Sequence, residues 1–268
     1  MASNRVPAFS LAAAQTVPHR GDVKANIEQH LGLVHRAAEE QVDAVVFPEL
    51  SLTGYELALG EQLAFAEDDA RLAPLAEAAR LHDVVLVVGA PIRLGPELHI
   101  GAFILFPDRP HQIYTKHHLG AFSPDDNPGG AVPPPEASVF QPGDRNPLFA
   151  VRGQTAAVAI CADTSRPSHP QRAADGGATV YLASSFVIPS DLDGKRERLA
   201  GYAARHHLAV VLANYGGPSG GLPSAGSSAI WCPGGELVGQ LGHAGAGLVV
   251  ASLQEESWQA KTIPLGEG

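Results

Sequence analysis

Cys161 stands at the end of a run of small and apolar residues, and an acid, Asp163, follows two positions later. The run, residues 156–160, predicts a buried strand. A lone thiol at the point where such a strand gives way to polar sequence is a candidate nucleophile. An isolated buried cysteine is more often structural. The case for catalysis therefore depends on what the rest of the chain brings to this thiol.

Two further chemistry-bearing residues also follow predicted strands. Glu49 comes directly after residues 44–47 and Pro48, which restricts the local backbone. Lys116 closes the predicted strand 111–115. Taken singly, each has an ordinary alternative, an exposed glutamate and a solvated charge at a strand edge. Because ligands of α/β sheets bind at the carboxyl ends of strands, we expect these two side chains and Cys161 to meet in one pocket.

The histidines suggest other chemistry, which the spacing does not favour. His117 and His118 are adjacent, so on an extended chain they point to opposite faces and make a poor pair of metal ligands. No third ligand of suitable spacing is evident, and we predict no metal site. The pair His206 and His207 ends a predicted helix, where positive charge is favourable. A histidine base for Cys161 is conceivable, but no position is marked for it.

Composition narrows the class of protein. The 268 residues are 45% apolar and 17% charged, enough for a sizeable core, and the net charge of -10 argues against nucleic acid or an anionic membrane as partner. The short charged run 195–198 is interpreted as a solvated helix face.

Two cysteines, of which Cys232 is interpreted as a packing residue in a turn, suit a reducing compartment. Without an apolar stretch of about 20 residues we expect no membrane span and a cytoplasmic enzyme.

Strand and helix patterns alternate, and each half of the chain runs β-α-β-α-β and then a hairpin. Residues 9–14 could pass for the core of a signal peptide, but the helix pattern that follows favours a first strand. Such alternation predicts mixed sheets covered by helices. Two halves packed sheet to sheet give a four-layer α-β-β-α sandwich in a single domain, residues 1–268. The predicted strands are 9–15, 44–47, 84–89, 100–106, 111–115, 156–160, 179–183, 210–213, 228–231, 236–240 and 247–252, and the predicted helices begin near 21 and 72 and span 170–176 and 191–207.

One segment, residues 123–143, is irregular and rich in proline. It could be a linker between domains or a long loop over a site. Structureless loops of this length are uncommon unless they are functional. The strands on both sides belong to one predicted fold, so we favour the loop.

Three separated segments, in order, resemble the motifs of the nitrilase superfamily of carbon–nitrogen hydrolases. They carry its glutamate, lysine and cysteine, and the likeness extends over nearly the whole chain, from residue 12 to residue 250. Gly177, Asn214 and residues 226–228 also fit the pattern. The three segments read FPELSLTGY at 47–55, YTKHHL at 114–119 and ICAD at 160–163.

The resemblance implies an α-β-β-α sandwich that is usually a homodimer, and it implies a role for each motif residue. Cys161 would be the nucleophile, Glu49 the general base and acid, and Lys116 the cation that holds the oxyanion. Glu136 resembles the auxiliary glutamate of the family, which would make the proline-rich segment a wall of the active site. The departure is Ala162, since many relatives carry a larger residue there; its backbone N–H can still serve an oxyanion hole.

The expected activity is hydrolysis of a small amide or carbamoyl compound through an acyl thioester, with no metal or organic cofactor. Tyr55, Ala162, Phe186 and Asn214 are predicted to line the substrate pocket. Two alternatives stay open: an N-acyltransferase that uses the same triad, and a non-catalytic binding protein on the same fold.

Overall fold

The computed structural model describes residues 9–255 and 257–265. Strands and helices alternate along this part of the chain, as the sequence pattern predicts. The first half contains β1 (Phe9–Gln15), α1 (Val23–Glu39), β2 (Ala44–Val46), α2 (Gly60–Leu63), α3 (Ala73–His82), β3 (Val85–Leu94), β4 (Glu97–Leu105) and β5 (Gln112–Thr115). The second half contains β6 (Phe149–Val151), β7 (Gln154–Ile160), α4 (Ser168–Asp175), β8 (Val180–Ser184), α5 (Leu192–His206), β9 (Ala209–Ala213), β10 (Ala229–Trp231), β11 (Leu237–Gln240), β12 (Gly247–Gln254) and β13 (Ser257–Pro264).

The strands form two mixed sheets. The first has the order β13-β12-β1-β2-β3-β4-β5, and the second has the order β11-β10-β9-β8-β7-β6. The central strands of each sheet, β1-β2-β3 and β7-β8-β9, are parallel, and the outer strands pair antiparallel. Parallel strands joined by helices must be covered on the helical side, which places one helical layer on the outside of each sheet.

Alternating side chains on the central strands explain why four layers form. Leu11 and Ala13 of β1 join a large cluster shared by both sheets, whereas Ala12 and Ala14 join a second cluster with α1. On β8 the alternate residue Tyr181 packs in a third cluster with α5. Because strand residues point to opposite faces in turn, both faces of each sheet are buried. The predicted four-layer α-β-β-α sandwich is confirmed.

The ends of the chain depart from the predicted two-halves arrangement. β12 pairs antiparallel with β1 over seven residue pairs, and β13 pairs with β12, so both belong to the first sheet and not to the second. β13 and the short β6 were not predicted. Many residues of β13 are exposed and none is fully buried, so the strand lacks the apolar run that marks the central strands. No helix in the described residues is both long and apolar enough to cross a bilayer.

A close backbone approach at Gly89 fixes the segment that carries Glu49. Leu52 N donates to Gly89 O at 2.9 Å, and a Cβ at Gly89 would lie 2.5 Å from Leu50 N and 2.6 Å from Pro48 O. Only glycine allows β3 to pass this closely under the turn. The position of Glu49 therefore depends on a glycine, with no side chain, in the neighbouring strand β3.

We predict that Gly89→Ala destabilises the protein by about 1–3 kcal/mol, as overpacking of a rigid site does, and also lowers its catalytic activity. Chemical denaturation and an activity assay measure the two effects. Gly32→Ala is the matched control, because Gly32 lies on an exposed face of α1 with nothing within 4 Å of the added Cβ; there the change should stabilise by about 0.5–1 kcal/mol. Equal stability changes in the two variants would refute the packing argument.

Candidate active site

The ends of three strands bring the predicted triad together. Glu49 follows β2 in a tight turn, in which Ser51 N donates to Pro48 O at 3.1 Å, and Tyr215 OH donates to the backbone oxygen of Glu49 at 2.6 Å. Lys116 follows β5, which runs in the same sense as β2 in the first sheet. Cys161 follows β7 of the facing sheet. The two sheets thus deliver an acid, an ammonium and a thiol to one place.

Lys116 lies between two carboxylates in the protein interior. Its Nζ donates to Glu49 Oε1 at 2.6 Å and to Glu136 Oε1 at 2.7 Å. All three side chains are at most 1% exposed. Charge-assisted hydrogen bonds of this length are strong, and at this depth each charge depends on the others for stabilisation.

Glu136 connects this cluster to the proline-rich segment. Its Oε1 also accepts a hydrogen bond from Tyr55 OH at 2.6 Å, and its Oε2 accepts one from Gly120 N at 2.7 Å. The segment 123–143 therefore lies against the cluster as a loop, with Asp126 and Glu136 facing the cavity beside Cys161.

Cys161 adopts a backbone conformation that is unusual for a residue with a side chain. Its φ is +42°, in the left-handed region, at the point where β7 turns into the 3₁₀ turn Cys161–Ser165. Such strain costs about 1–3 kcal/mol and persists only where the surroundings enforce it. The turn presents the thiol at the mouth of the strand, and Sγ donates to the backbone oxygen of Phe186 at 3.5 Å.

Asp163 ties the cysteine turn to the lysine segment, a role that the sequence analysis did not assign. Its carboxylate accepts hydrogen bonds from Ile160 N at 3.1 Å and from Tyr114 OH at 2.6 Å. It also accepts from the backbone N–H groups of His117 and His118 at 3.2 and 2.9 Å. The only signal in the sequence was an acid two positions after the cysteine. Within the described residues, no group of three or more histidine, cysteine, aspartate or glutamate side chains could hold a metal ion.

The electrostatics of the cluster keep the proton on the Cys161 thiol and bring the pKa of the Glu49 carboxyl close to neutrality. Burial raises the pKa of Glu49 to about 7, with a further rise from Glu136 and opposing effects of Lys116 and, more weakly, of the Cys161 thiol. Burial and the charge of Glu49 raise the pKa of Cys161 to about 11. Burial lowers the pKa of Lys116, but the two carboxylates outweigh it and hold this pKa above its ordinary value. Lys116 is therefore a permanent cation.

One oxygen of the cluster has no bonding partner. Glu49 Oε2 is buried and accepts no well-formed hydrogen bond from any described residue, so the thiol acts on this carboxylate as a close neighbour outside good hydrogen-bond geometry. A buried polar atom in a native site is normally satisfied. An unsatisfied carboxylate oxygen with a pKa near neutrality is suited to accept a proton.

A cavity of about 440 Å³ opens over the thiol. Tyr55, Ala162 and Phe186 line it together with Cys161, and their contact with a substrate stays a prediction. Glu49 and Lys116 are fully buried and lie outside the cavity lining, whereas Glu136 and Cys161 are part of it.

The prediction for Asn214 is wrong. Its side chain is fully buried and lies outside the cavity lining, and its amide forms hydrogen bonds with backbone groups. It accepts from Val187 N at 2.9 Å and donates to Gly226 O at 2.8 Å. The amide thus braces the loop after β8, which in turn carries Phe186 into the cavity wall.

The charged run 195–198 is only in part the solvated face that we expected, since Glu197 is exposed but Lys195 is buried. Lys195 is only 6% exposed, and both Lys195 and Arg198 line the cavity. Helix α5 turns these two residues inward because its N-terminal end lies over the cysteine turn. Periodicity alone could not show this, since apolar residues are sparse on this part of the helix.

Comparison with known proteins identifies the family. The carbon–nitrogen hydrolase family matches residues 10–262. An (R)-stereoselective amidase of a Pseudomonas species is 28% identical over 244 residues, which cover 88% of this chain and 81% of that protein. A 2-oxoglutaramate amidase of Bacillus subtilis is 28% identical over 235 residues, with 84% of each chain covered.

A solved structure agrees with these matches. It is a glutamate-to-glutamine mutant of the amidase from Nesterenkonia sp. AN1, which shows covalent addition of the acetamide moiety of fluoroacetamide at the active-site cysteine. It superposes with a TM-score of 0.78 at 25% identity, over 93% of this chain and 91% of that chain. The chain belongs to the carbon–nitrogen hydrolase family, as the three sequence motifs predicted, and it is an enzyme of the amidase type.

We predict that Glu49→Gln stabilises the protein above pH 7 while it abolishes catalysis. The folded protein holds the Glu49 proton with a pKa of about 7, against an ordinary value of 4.5, so ionisation of this group costs stability as the pH rises from 4.5 to 7. The neutral amide avoids that cost, and the gain at pH 8 should be about 1–3 kcal/mol. Denaturation curves at pH 5 and pH 8 measure it.

The gain should shrink at pH 5, where Glu49 is already protonated in the native enzyme. Glu28→Gln on the exposed face of α1 is the control and should give no pH-dependent difference, because that side chain is 66% exposed. Loss of stability by Glu49→Gln at pH 8 would contradict the assignment of Glu49 as a buried carboxylate whose ionisation destabilises the folded protein.

Proposed function

We propose that the protein hydrolyses small amides through an acyl thioester on Cys161. The observation that carries the proposal is the strained Cys161 turn beside the buried Glu49–Lys116–Glu136 cluster at the floor of one cavity. The family membership supports the reaction class, and the cysteine adduct of the Nesterenkonia amidase supports the choice of nucleophile.

The first half of the reaction forms the thioester. Glu49 takes the thiol proton as the sulfur attacks the amide carbonyl, so that the S–C bond forms and the carbonyl electron pair moves to oxygen. Lys116 and the Ala162 N–H meet this oxyanion, and one such donor is worth about 3 kcal/mol in comparable sites. Glu49 returns the proton to the nitrogen as the C–N bond breaks, and ammonia or an amine leaves.

The second half releases the acid. Glu49 takes a proton from a water molecule, whose oxygen attacks the thioester carbonyl. The C–S bond then breaks, and the proton returns to the sulfur. A carboxyl with a pKa near neutrality can accept and donate a proton in turn at physiological pH, which both halves require.

The cavity favours a compact, polar acyl group. Its lining combines the aromatic rings of Tyr55, Phe122 and Phe186 with charged side chains at the α5 end. A volume of about 440 Å³ admits a small molecule but not a folded protein. Omega-amides of dicarboxylic acids, the class of the B. subtilis relative, simple aliphatic amides and N-carbamoyl compounds are the substrates to assay.

Cys161→Ala and Cys161→Ser should each lower ammonia release from this panel of amides by at least about a thousandfold, because the route loses its nucleophile. Cys232→Ser is the matched control and should keep full activity, since the second free cysteine lies outside the cavity lining. Full activity in either Cys161 variant would refute the thioester route.

The acid limb of the pH profile should report Glu49. Because the base form is required and its pKa is about 7, kcat/KM should fall about tenfold per pH unit below that value and level off above it. Steady-state kinetics with one amide from pH 5 to pH 8.5 measures the limb. A flat profile over this range would contradict the role of Glu49 as base.

The homodimer and the cytoplasmic location expected from the sequence stay predictions.

A further inference from the structure

A second lysine lies under the cysteine turn and has no part in the reaction described above. Lys195 of α5 donates from Nζ to the backbone oxygen of Cys161 at 3.1 Å and to Thr164 Oγ1 at 2.7 Å. It is 6% exposed and lines the cavity. It therefore contacts the turn that presents the thiol at its first and fourth residues.

The charge of Lys195 has no counter-ion of its own. Lys195 forms no ion pair with any carboxylate of the described residues, in contrast to Lys116, which has two. An unpaired buried cation is costly. Burial lowers the pKa of Lys195, and the strongest opposing influence is the neighbouring Cys161. The group that would compensate this charge is a thiolate.

The thiol needs such a cation because Lys116 is already matched. Two carboxylates and one ammonium give the Glu49–Lys116–Glu136 cluster a negative charge whenever both acids are ionised. Among charged side chains, Glu49 and Glu136 raise the pKa of Cys161, whereas Lys195 and Lys116 lower it. Asp126, Asp191 and Arg198 also line the cavity, and the charge of Cys161 helps to raise the pKa of the Tyr55 hydroxyl. Lys195 lowers the pKa of the thiol more than Lys116 does.

We propose that Lys195 is a positioning residue that stabilises the Cys161 thiolate and holds the cysteine turn in its strained conformation. The proposal rests on the proposed function, in which Cys161 is the nucleophile. The ammonium acts through space on the sulfur and through a hydrogen bond on the Cys161 carbonyl. This carbonyl belongs to the same peptide group as the Ala162 N–H, and Ala162 lines the cavity.

The same helix provides a control that holds the turn without a charge. Tyr202, seven residues after Lys195 and on the same face of α5, donates from its hydroxyl to Thr164 O at 3.0 Å. Tyr202→Phe removes one hydrogen bond to the turn and leaves the electrostatics of the thiol unchanged. Lys195→Gln removes the charge but keeps a hydrogen-bond donor, and Lys195→Arg keeps the charge.

The test is alkylation of Cys161 by iodoacetamide between pH 6 and pH 10, in protein that also carries Cys232→Ser so that one thiol reacts. The rate follows the thiolate fraction. Lys195→Gln should lower the alkylation rate at pH 8 about tenfold, which corresponds to a rise of about one unit in the pKa of the Cys161 thiol. Lys195→Arg should recover most of the loss, and Tyr202→Phe should leave the pH dependence in place. Peptide mass spectrometry confirms the alkylated residue.

Two results would overturn the proposal. The first is the same pH dependence of alkylation in Lys195→Gln and in the parent protein. The second is an equal shift of this pH dependence in Lys195→Gln and Tyr202→Phe, which would show a structural effect alone. If Lys195→Gln fails to fold, as judged by circular dichroism, the same comparison is made with Lys195→Met. The proposed function fails separately, through amide hydrolysis that persists in Cys161→Ala, because the alkylation rate reports the thiol and not turnover.

Discussion

The ammonium of Lys116 contacts Glu49 at 2.6 Å and Glu136 at 2.7 Å, and none of the three side chains is more than 1% exposed. Removing the ammonium from such a group leaves two buried carboxylates without a counter-ion and costs about 3–5 kcal/mol. The three residues come from the end of β2, the end of β5 and the proline-rich loop. Charge pairing at the bottom of the cavity therefore constrains the two sheet-derived segments and the loop to one geometry.

That constraint has a chemical consequence. Burial raises the pKa of Glu49 to about 7, and the charge of Glu136, which shares the same cation, adds to the rise. Cys161 is held against it by a left-handed turn that Asp163 ties to the lysine segment. The strain at Cys161 and the unsatisfied oxygen of Glu49 both cost stability, and the packing of the four-layer core offsets these costs. Both features lie where the reaction requires a proton to move.

The fold could be predicted from the sequence because it rests on strong local signals, whereas the triad also needed the resemblance of three motifs to a family, since each of its residues has an ordinary alternative when taken singly. Buried central strands read as continuous apolar runs, and Glu49, Lys116 and Cys161 each end one. Glu136 came only from the family resemblance, since a glutamate in a proline-rich loop has no periodicity around it. Asn214 was placed wrongly because a polar residue after a strand can face a cavity or brace a loop, and its sequence context is the same in both cases. Lys195 was missed because a charged stretch is read as solvated unless tertiary packing buries it.

The measurement that tests the account most directly is burst kinetics with an activated p-nitrophenyl ester of an acid whose amide the enzyme hydrolyses. Acylation of Cys161 by such an ester should outpace deacylation, so we expect a burst of about one equivalent of nitrophenolate and the acyl mass on the peptide that contains Cys161. Linear release without a burst, together with an adduct on another residue or none during amide turnover, would contradict the claim that the buried cluster serves a cysteine nucleophile.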